Sequence, residues 1–165
     1  MSGLVSAGLA SLLVLLAVPV AGGTDPCALI PQAEAAKLLG VAVTGARSSG
    51  PATDEESGGM LSTCVFRTGS AAVALTYVEF ASAKEASAWY RATLTEAQGT
   101  AGTKVSPDQN GSLPAFWATT QIAAAYTLAQ ARYVVAVGGG GPGFHLVSGQ
   151  SIRLLALEAA KRLQP

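Results

Sequence analysis

Charge is scarce in this chain. Ten basic and ten acidic side chains are spread over 165 residues and cancel, about half the usual charged share of a globular protein. None of them lies before Asp25. Proteins that bind nucleic acid gather Lys and Arg into a patch or stripe, and there is no such cluster here, so nucleic acid is not expected as a partner. Anionic membrane surfaces lose their attraction for the same reason. Histidine is scarcer still, His145 being the only one. With two cysteines beside it, the chain is short of ligands for a zinc site, and neither a metal nor a cofactor is expected. Any Ser-His-acid or Cys-His mechanism would have to pass through His145, and no Gly-x-Ser-x-Gly nucleophile elbow occurs after residue 23.

The first residues hold apolar bulk instead. From Gly3 to Gly23 Leu, Val and Ala dominate, with a core at Leu9–Val18, a helix-breaking Pro19 and the small residues Ala21-Gly22-Gly23. That is the pattern of a secretory signal cut before Thr24. The positive start of such a signal is missing, and the run is about long enough to span a bilayer, so an uncleaved anchor is the rival reading. In that case the membrane would be touched only through this segment. Cys27 follows Asp25-Pro26 rather than a small-residue box, which argues against lipidation there. Residues 1–23 are thus read as signal peptide or anchor, and 24–165 as one exported domain in the cell envelope or outside the cell.

Cys27 and Cys64 are the two cysteines. In an oxidising compartment an even pair makes one disulfide. Closing a loop of about 38 residues is worth roughly 4 kcal/mol in the chain-entropy picture. The wide spacing is unlike the Cys-x-x-Cys of redox catalysts.

Along the domain, Pro31 to Gly40 carries helix start and stop signals. Val41-Ala42-Val43 can begin a strand, and residues 45–60, rich in Ser, Gly and Pro, read as a polar loop. Leu61–Thr68 and Ala72–Phe80 form a hairpin around Gly69-Ser70. Ser82-Ala83-Lys84-Glu85 is a capping box that opens a helix to about Gln98. A Gly/Asn/Pro-rich loop over 99–114 leads to the short strand Ala115–Ala118. A second hairpin, Ile122–Ala129 with Tyr133–Val137, precedes a final helix from Ser151 to about Leu163. The expected class is α+β: an antiparallel sheet with helices packed on one face, built from two hairpin-plus-helix units.

Several motifs have a bland and a sharp reading. Gly138 to Gly143 satisfies G-x-G-x-x-G between a strand and a helix, but no second strand with an acidic end follows, so a flexible loop is expected. Asp54-Glu55-Glu56 lacks the ligand spacing of a calcium loop and reads as a solvated tip. Asn110-Gly111-Ser112 matches a glycosylation sequon. Most of the aromatic residues should be core, with a minority lining a cleft between sheet and helices.

Asp25-Pro26-Cys27-Ala28-Leu29-Ile30-Pro31, Leu38-Leu39-Gly40, Cys64-Val65-Phe66 and Ala115-Phe116-Trp117 together resemble an actinobacterial family of secreted proteins and lipoproteins, a domain family of unknown function. The resemblance spans nearly all of the exported part. It implies a D-P-C-x-L start before a short helix, a second cysteine in a strand, and an A-[FY]-W segment before the last hairpin. The chain departs from the family in lacking a lipidated cysteine and in having Gly111-Ser112-Leu113-Pro114 where a Gly-Leu-Gly is usual. The family brings no catalytic residues with it.

The expected function is a non-catalytic envelope or extracellular module that binds a protein, a peptide or a small apolar ligand. The alternatives are an inhibitor or accessory partner of another exported protein, acting through a strand edge or the 45–60 segment, and an enzyme using His145 with a carboxylate or serine.

Overall fold

In the computed structural model, residues 25–109 and 111–163 are described. Residues 1–23, read above as signal peptide or anchor, and Asn110 of the sequon lie outside them. A single 3-10 turn, Pro26–Ala28, opens the domain, with Asp25 Oδ1 accepting from the Cys27 amide at 2.9 Å. Helix α1 (Gln32–Leu39) ends on Gly40 at φ 68°. The strands are β1 (Gly45–Thr53), β2 (Met60–Thr68) and β3 (Ala71–Glu79). Helix α2 (Ala83–Gly99) follows, capped by the Ser82 hydroxyl, which accepts from the Glu85 amide. The rest comprises β4 (Lys104–Pro107), β5 (Ala115–Thr119), β6 (Ala123–Gln130), β7 (Tyr133–Gly140), a 3-10 turn at Phe144–Leu146 and helix α3 (Gly149–Arg162).

The seven strands make one antiparallel sheet in the order β1-β2-β3-β7-β6-β5-β4. The α+β class, the antiparallel sheet and the two hairpin-plus-helix units are present. The helices, however, divide between the two faces. Strand side chains alternate sides: Leu75, Val73, Val135, Val137, Tyr126 and Leu128 point to one face, where they meet α1 and α3. Val78, Val134, Phe116 and Ala118 point to the other, against α2. The expectation of helices on one face therefore holds for α1 and α3 and is corrected for α2.

The reason is the path the chain must take. α2 leaves β3 in the middle of the sheet and has to reach β4 at its far edge, crossing β7, β6 and β5. That is four strand spacings, about 19 Å, and a helix of 17 residues is about 25 Å long. α3 already occupies β6 and β7 on the first face, so the crossing runs over the second.

Four local expectations are also revised. Residues 45–53 are edge strand β1, not loop. The strand pairs only with β2, its side chains are half-buried or exposed, and its register slips at the cis Gly50-Pro51 bond. At Gly50, φ is +90° and an added Cβ would lie 2.4 Å from the Leu61 carbonyl oxygen, so only glycine fits. Val41–Val43 packs on the core without joining the sheet, and β4 lies inside the expected 99–114 loop. Finally, Gly138–Gly140 is not a loop but the end of central strand β7, paired to both β3 and β6. A Cβ on Gly139 would stand 2.2 Å from the Ala72 carbonyl oxygen and 2.7 Å from the Phe144 ring, which lies across the glycine and closes the first core.

Candidate functional site

Two clefts open at opposite ends of the β6–β7 hairpin. The first holds about 450 Å³. Tyr77 and Glu79 of β3 and Tyr133 of β7 floor it. Tyr133 is in register with Glu79, and Tyr77 with Val135, so the two tyrosines are diagonal neighbours on one sheet face. Its walls are Asp25, Ala28 and Leu29 of the N-terminal turn and Arg162 and Leu163 at the end of α3. The half-buried tyrosines are thus the aromatic minority that lines a cleft, while Phe66, Phe80, Tyr90, Phe116 and Tyr126 are buried.

Both walls are fixed. Cys27 and Cys64 form a disulfide, tying the N-terminal turn to β2. Arg162 donates to the Leu29 carbonyl at 2.9 Å and to Glu158 at 2.9 Å, and it pairs with Glu34 of α1. Hydrogen bonds donated to Glu158 and then to Glu34 hold the Arg162 guanidinium above its ordinary pKa. Beside the cleft, Arg132 pairs with the floor residue Glu79 at 2.7 Å, and its guanidinium carbon stands 5.6 Å from the Tyr133 ring centroid. Arg132 sits in the tight β6–β7 turn, where Ala131 takes φ 50°, the left-handed backbone that such two-residue turns require.

The second cleft, about 610 Å³, lies between the β5–β6 turn and the segment after β7. His145 is here, exposed, with its Nδ1 2.9 Å from the Pro142 carbonyl. Its neighbours in the lining are Thr119, Thr120, Gln121, Ile122 and Phe144, with no carboxylate, serine or thiol among the described lining residues. Ile122 is 78% exposed and the adjoining Leu146 67%. The Gly138–Gly143 motif ends at this rim as strand and turn rather than as a phosphate-binding loop.

A third polar centre lies outside both clefts. Asp108 Oδ2, in the β4–β5 connection, accepts from the Tyr126 hydroxyl at 2.6 Å and from Arg153 Nε of α3 at 2.7 Å. Burial, and next the bond to Asp108, push the Tyr126 hydroxyl up to about 12. Trp117 packs on the Tyr126 ring at 4.8 Å. No spacing in the sequence linked these three residues, which come from a loop, a strand and a helix. At the β1–β2 turn, Asp54 accepts from the Ser57 amide at 2.9 Å, and no metal-holding group of three His, Cys, Asp or Glu occurs among the described residues.

No family model matches the chain, and no curated protein matches it. Among solved structures, it is similar to the crystal structure of the extracellular domain of PknH from Mycobacterium tuberculosis. The TM-score is 0.51 at 12% identity, over 85% of this chain and 96% of that one. The likeness is one of fold. No helix among the described residues is long and apolar enough to cross a membrane.

Proposed function

We propose that this chain is an exported, non-catalytic binding module of the cell envelope or the extracellular space, and that the cleft floored by Tyr77 and Tyr133 is its binding site. One observation carries the reading. Two large aromatic side chains are left partly uncovered at the floor of a cleft whose walls are held by a disulfide and by the Arg162 bonds. A small-molecule site needs an apolar floor and a few fixed polar groups, and this cleft offers both. Export is supported by the disulfide, which persists in oxidising compartments, and by the uncharged apolar run at the start of the chain. It also fits the resemblance to secreted actinobacterial proteins. The non-catalytic reading rests on the setting of His145, whose Nδ1 meets the Pro142 carbonyl and whose cleft has no carboxylate, serine or thiol among the described lining residues.

The test is a small-molecule fragment screen by amide chemical-shift mapping on the oxidised domain. Saturable shifts clustered at residues 25–29, 77–79 and 133 are expected, and they should vanish in Tyr77→Ala and Tyr133→Ala. Hits that map elsewhere would remove the cleft from consideration. Intact mass of the exported protein, starting near Thr24 and short by two hydrogens, tests export and cleavage; a mass retaining Met1 would make the first segment an anchor.

A second reading, accessory partner of another exported protein, is favoured by the exposed Ile122 and Leu146 beside the second cleft. It predicts a stoichiometric partner on co-purification that is lost in Ile122→Asp with Leu146→Asp. The strand edges suit that role less well, because Pro51 interrupts β1 and Pro107 ends the four-residue β4.

A further inference from the structure

From the turn beside the cleft, a cation of the protein's own already engages two residues of the floor. Arg132 pairs with Glu79 at 2.7 Å and stands over the Tyr133 ring, so a carboxylate and an aromatic face converge on one positive group. The arrangement is a recognition unit for ammonium and guanidinium groups, because the ring face is negative and the carboxylate adds a charge-assisted hydrogen bond. Yet Arg132 is not locked in. Its side chain is 53% exposed, and exposed pairs hold their partners weakly.

The charge of the surroundings points the same way. Asp25 and Glu79 line the cleft, and Glu34 and Glu158 pair with Arg162 behind its wall; against these four carboxylates stand the two guanidinium groups of Arg162 and Arg132. The excess is negative in a chain with no net charge. Arg162 is turned to its own partners and to the Leu29 carbonyl, which leaves the Asp25 and Glu79 side to meet a ligand.

We propose that the cleft selects a small organic cation, an ammonium or guanidinium group on an apolar or aromatic body, and that Arg132 is the internal stand-in which this cation displaces from Glu79. The apolar body then lies along Tyr77 and Leu29, with the positive group between Glu79, the Tyr133 ring and Asp25. This inference rests on the cleft being the binding site, and the experiment separates the two.

Three probes of nearly the same shape are titrated into the oxidised domain and followed by amide shifts: 2-phenylethylamine, 2-phenylethanol and 3-phenylpropionate. The amine should bind at the cleft at least about ten-fold more tightly than the carboxylate. Glu79→Gln should weaken the amine by about ten-fold, and Arg132→Ala should tighten it several-fold by removing the competitor. Both positions are partly exposed, and an unchanged thermal midpoint confirms folding; Arg132→Gln serves if Ala disturbs the turn. Equal binding of all three probes at the cleft overturns cation selection while leaving the cleft as a site. Absence of cleft shifts from all three overturns both. Tighter amine binding in the parent than in Arg132→Ala overturns the stand-in role.

Discussion

Asp108 should prove the most sensitive charged position in the domain, and Asp108→Ala is the perturbation that shows it. Its side chain is 5% exposed and that of Arg153 20%, so the pair is nearly dry. Removing one partner of a buried ion pair costs roughly 3–5 kcal/mol; the access of Arg153 to water lowers that to about 2–3 kcal/mol. The substitution also strips the acceptor from the Tyr126 hydroxyl, whose residue is 1% exposed, adding about 1 kcal/mol. A total of about 3–4 kcal/mol is a large part of a typical 5–15 kcal/mol stability. Tyr126→Phe should cost less, about 1–2 kcal/mol, because Asp108 keeps Arg153. Arg153→Met should fall between the two. Urea unfolding of the oxidised protein at pH 7 reads all three, and a cycle with Asp108→Ala/Arg153→Met gives their coupling. If Asp108→Ala loses less than about 1 kcal/mol, or if Tyr126→Phe costs more than it does, then the centre is not the pin between the β4–β5 connection and α3 described above.

Tyr126 sets an alkaline limit. Its hydroxyl titrates at about 12 in the folded state and near 10 unfolded, so the folded chain keeps a proton that the unfolded chain releases. Its contribution is whole below pH 10 and falls by about 2–3 kcal/mol as pH rises towards 12; a Tyr126→Phe variant with the same alkaline unfolding profile would contradict this. Reducing the Cys27–Cys64 bond, which spans 37 positions, should lower stability by roughly 4 kcal/mol, measured by urea unfolding extrapolated to water with and without reductant, the slope rising as the freed unfolded chain expands. Gly139→Ala should cost at least about 3 kcal/mol or prevent folding, since its Cβ meets a carbonyl oxygen and the Phe144 ring; Gly45→Ala, with open space around it, is the control. Ala131→Gly, at φ 50°, should raise the thermal midpoint slightly, by up to about 1 kcal/mol of stability, and a lowered midpoint would count against strain there.

Much of the architecture was legible in the residues because short-range physics wrote it. Ser82 caps α2 and Gly40 stops α1 where the start and stop signals stood. The hairpin at Gly69-Ser70 is in its expected place. What escaped reading depends on partners distant in sequence. β1 is made of Gly, Ser, Ala and Pro, and becomes a strand only because β2 offers its edge. Gly138–Gly140 looks like a flexible loop until β3, β6 and Phe144 are seen to crowd it. Ala86, Tyr90 and Ala97 of α2 recur at helical spacing, which says that one face is buried but not which side of the sheet buries it. The cleft was the least legible feature, since its floor and walls come from residues 25–29, 77–79, 133 and 162–163. Tyr77 and Tyr133 were known only as aromatics, and three-dimensional placement is what leaves these two uncovered.

The unequal division of helices between the faces of the sheet has a consequence for motion. The face with α1 and α3 carries the disulfide, the Arg162 contacts and the Asp108 centre. α2, on the other face, buries only Ala86, Tyr90 and Ala97 fully, and no covalent tie holds it. Such a leaf opens at a lower free energy than the body it rests on. Amide hydrogen exchange should therefore run in two tiers, with α2 lifting as a unit while the strands beneath it and α3 stay protected. The chain would thus swing one side of itself open to solvent without disturbing the cleft on the other.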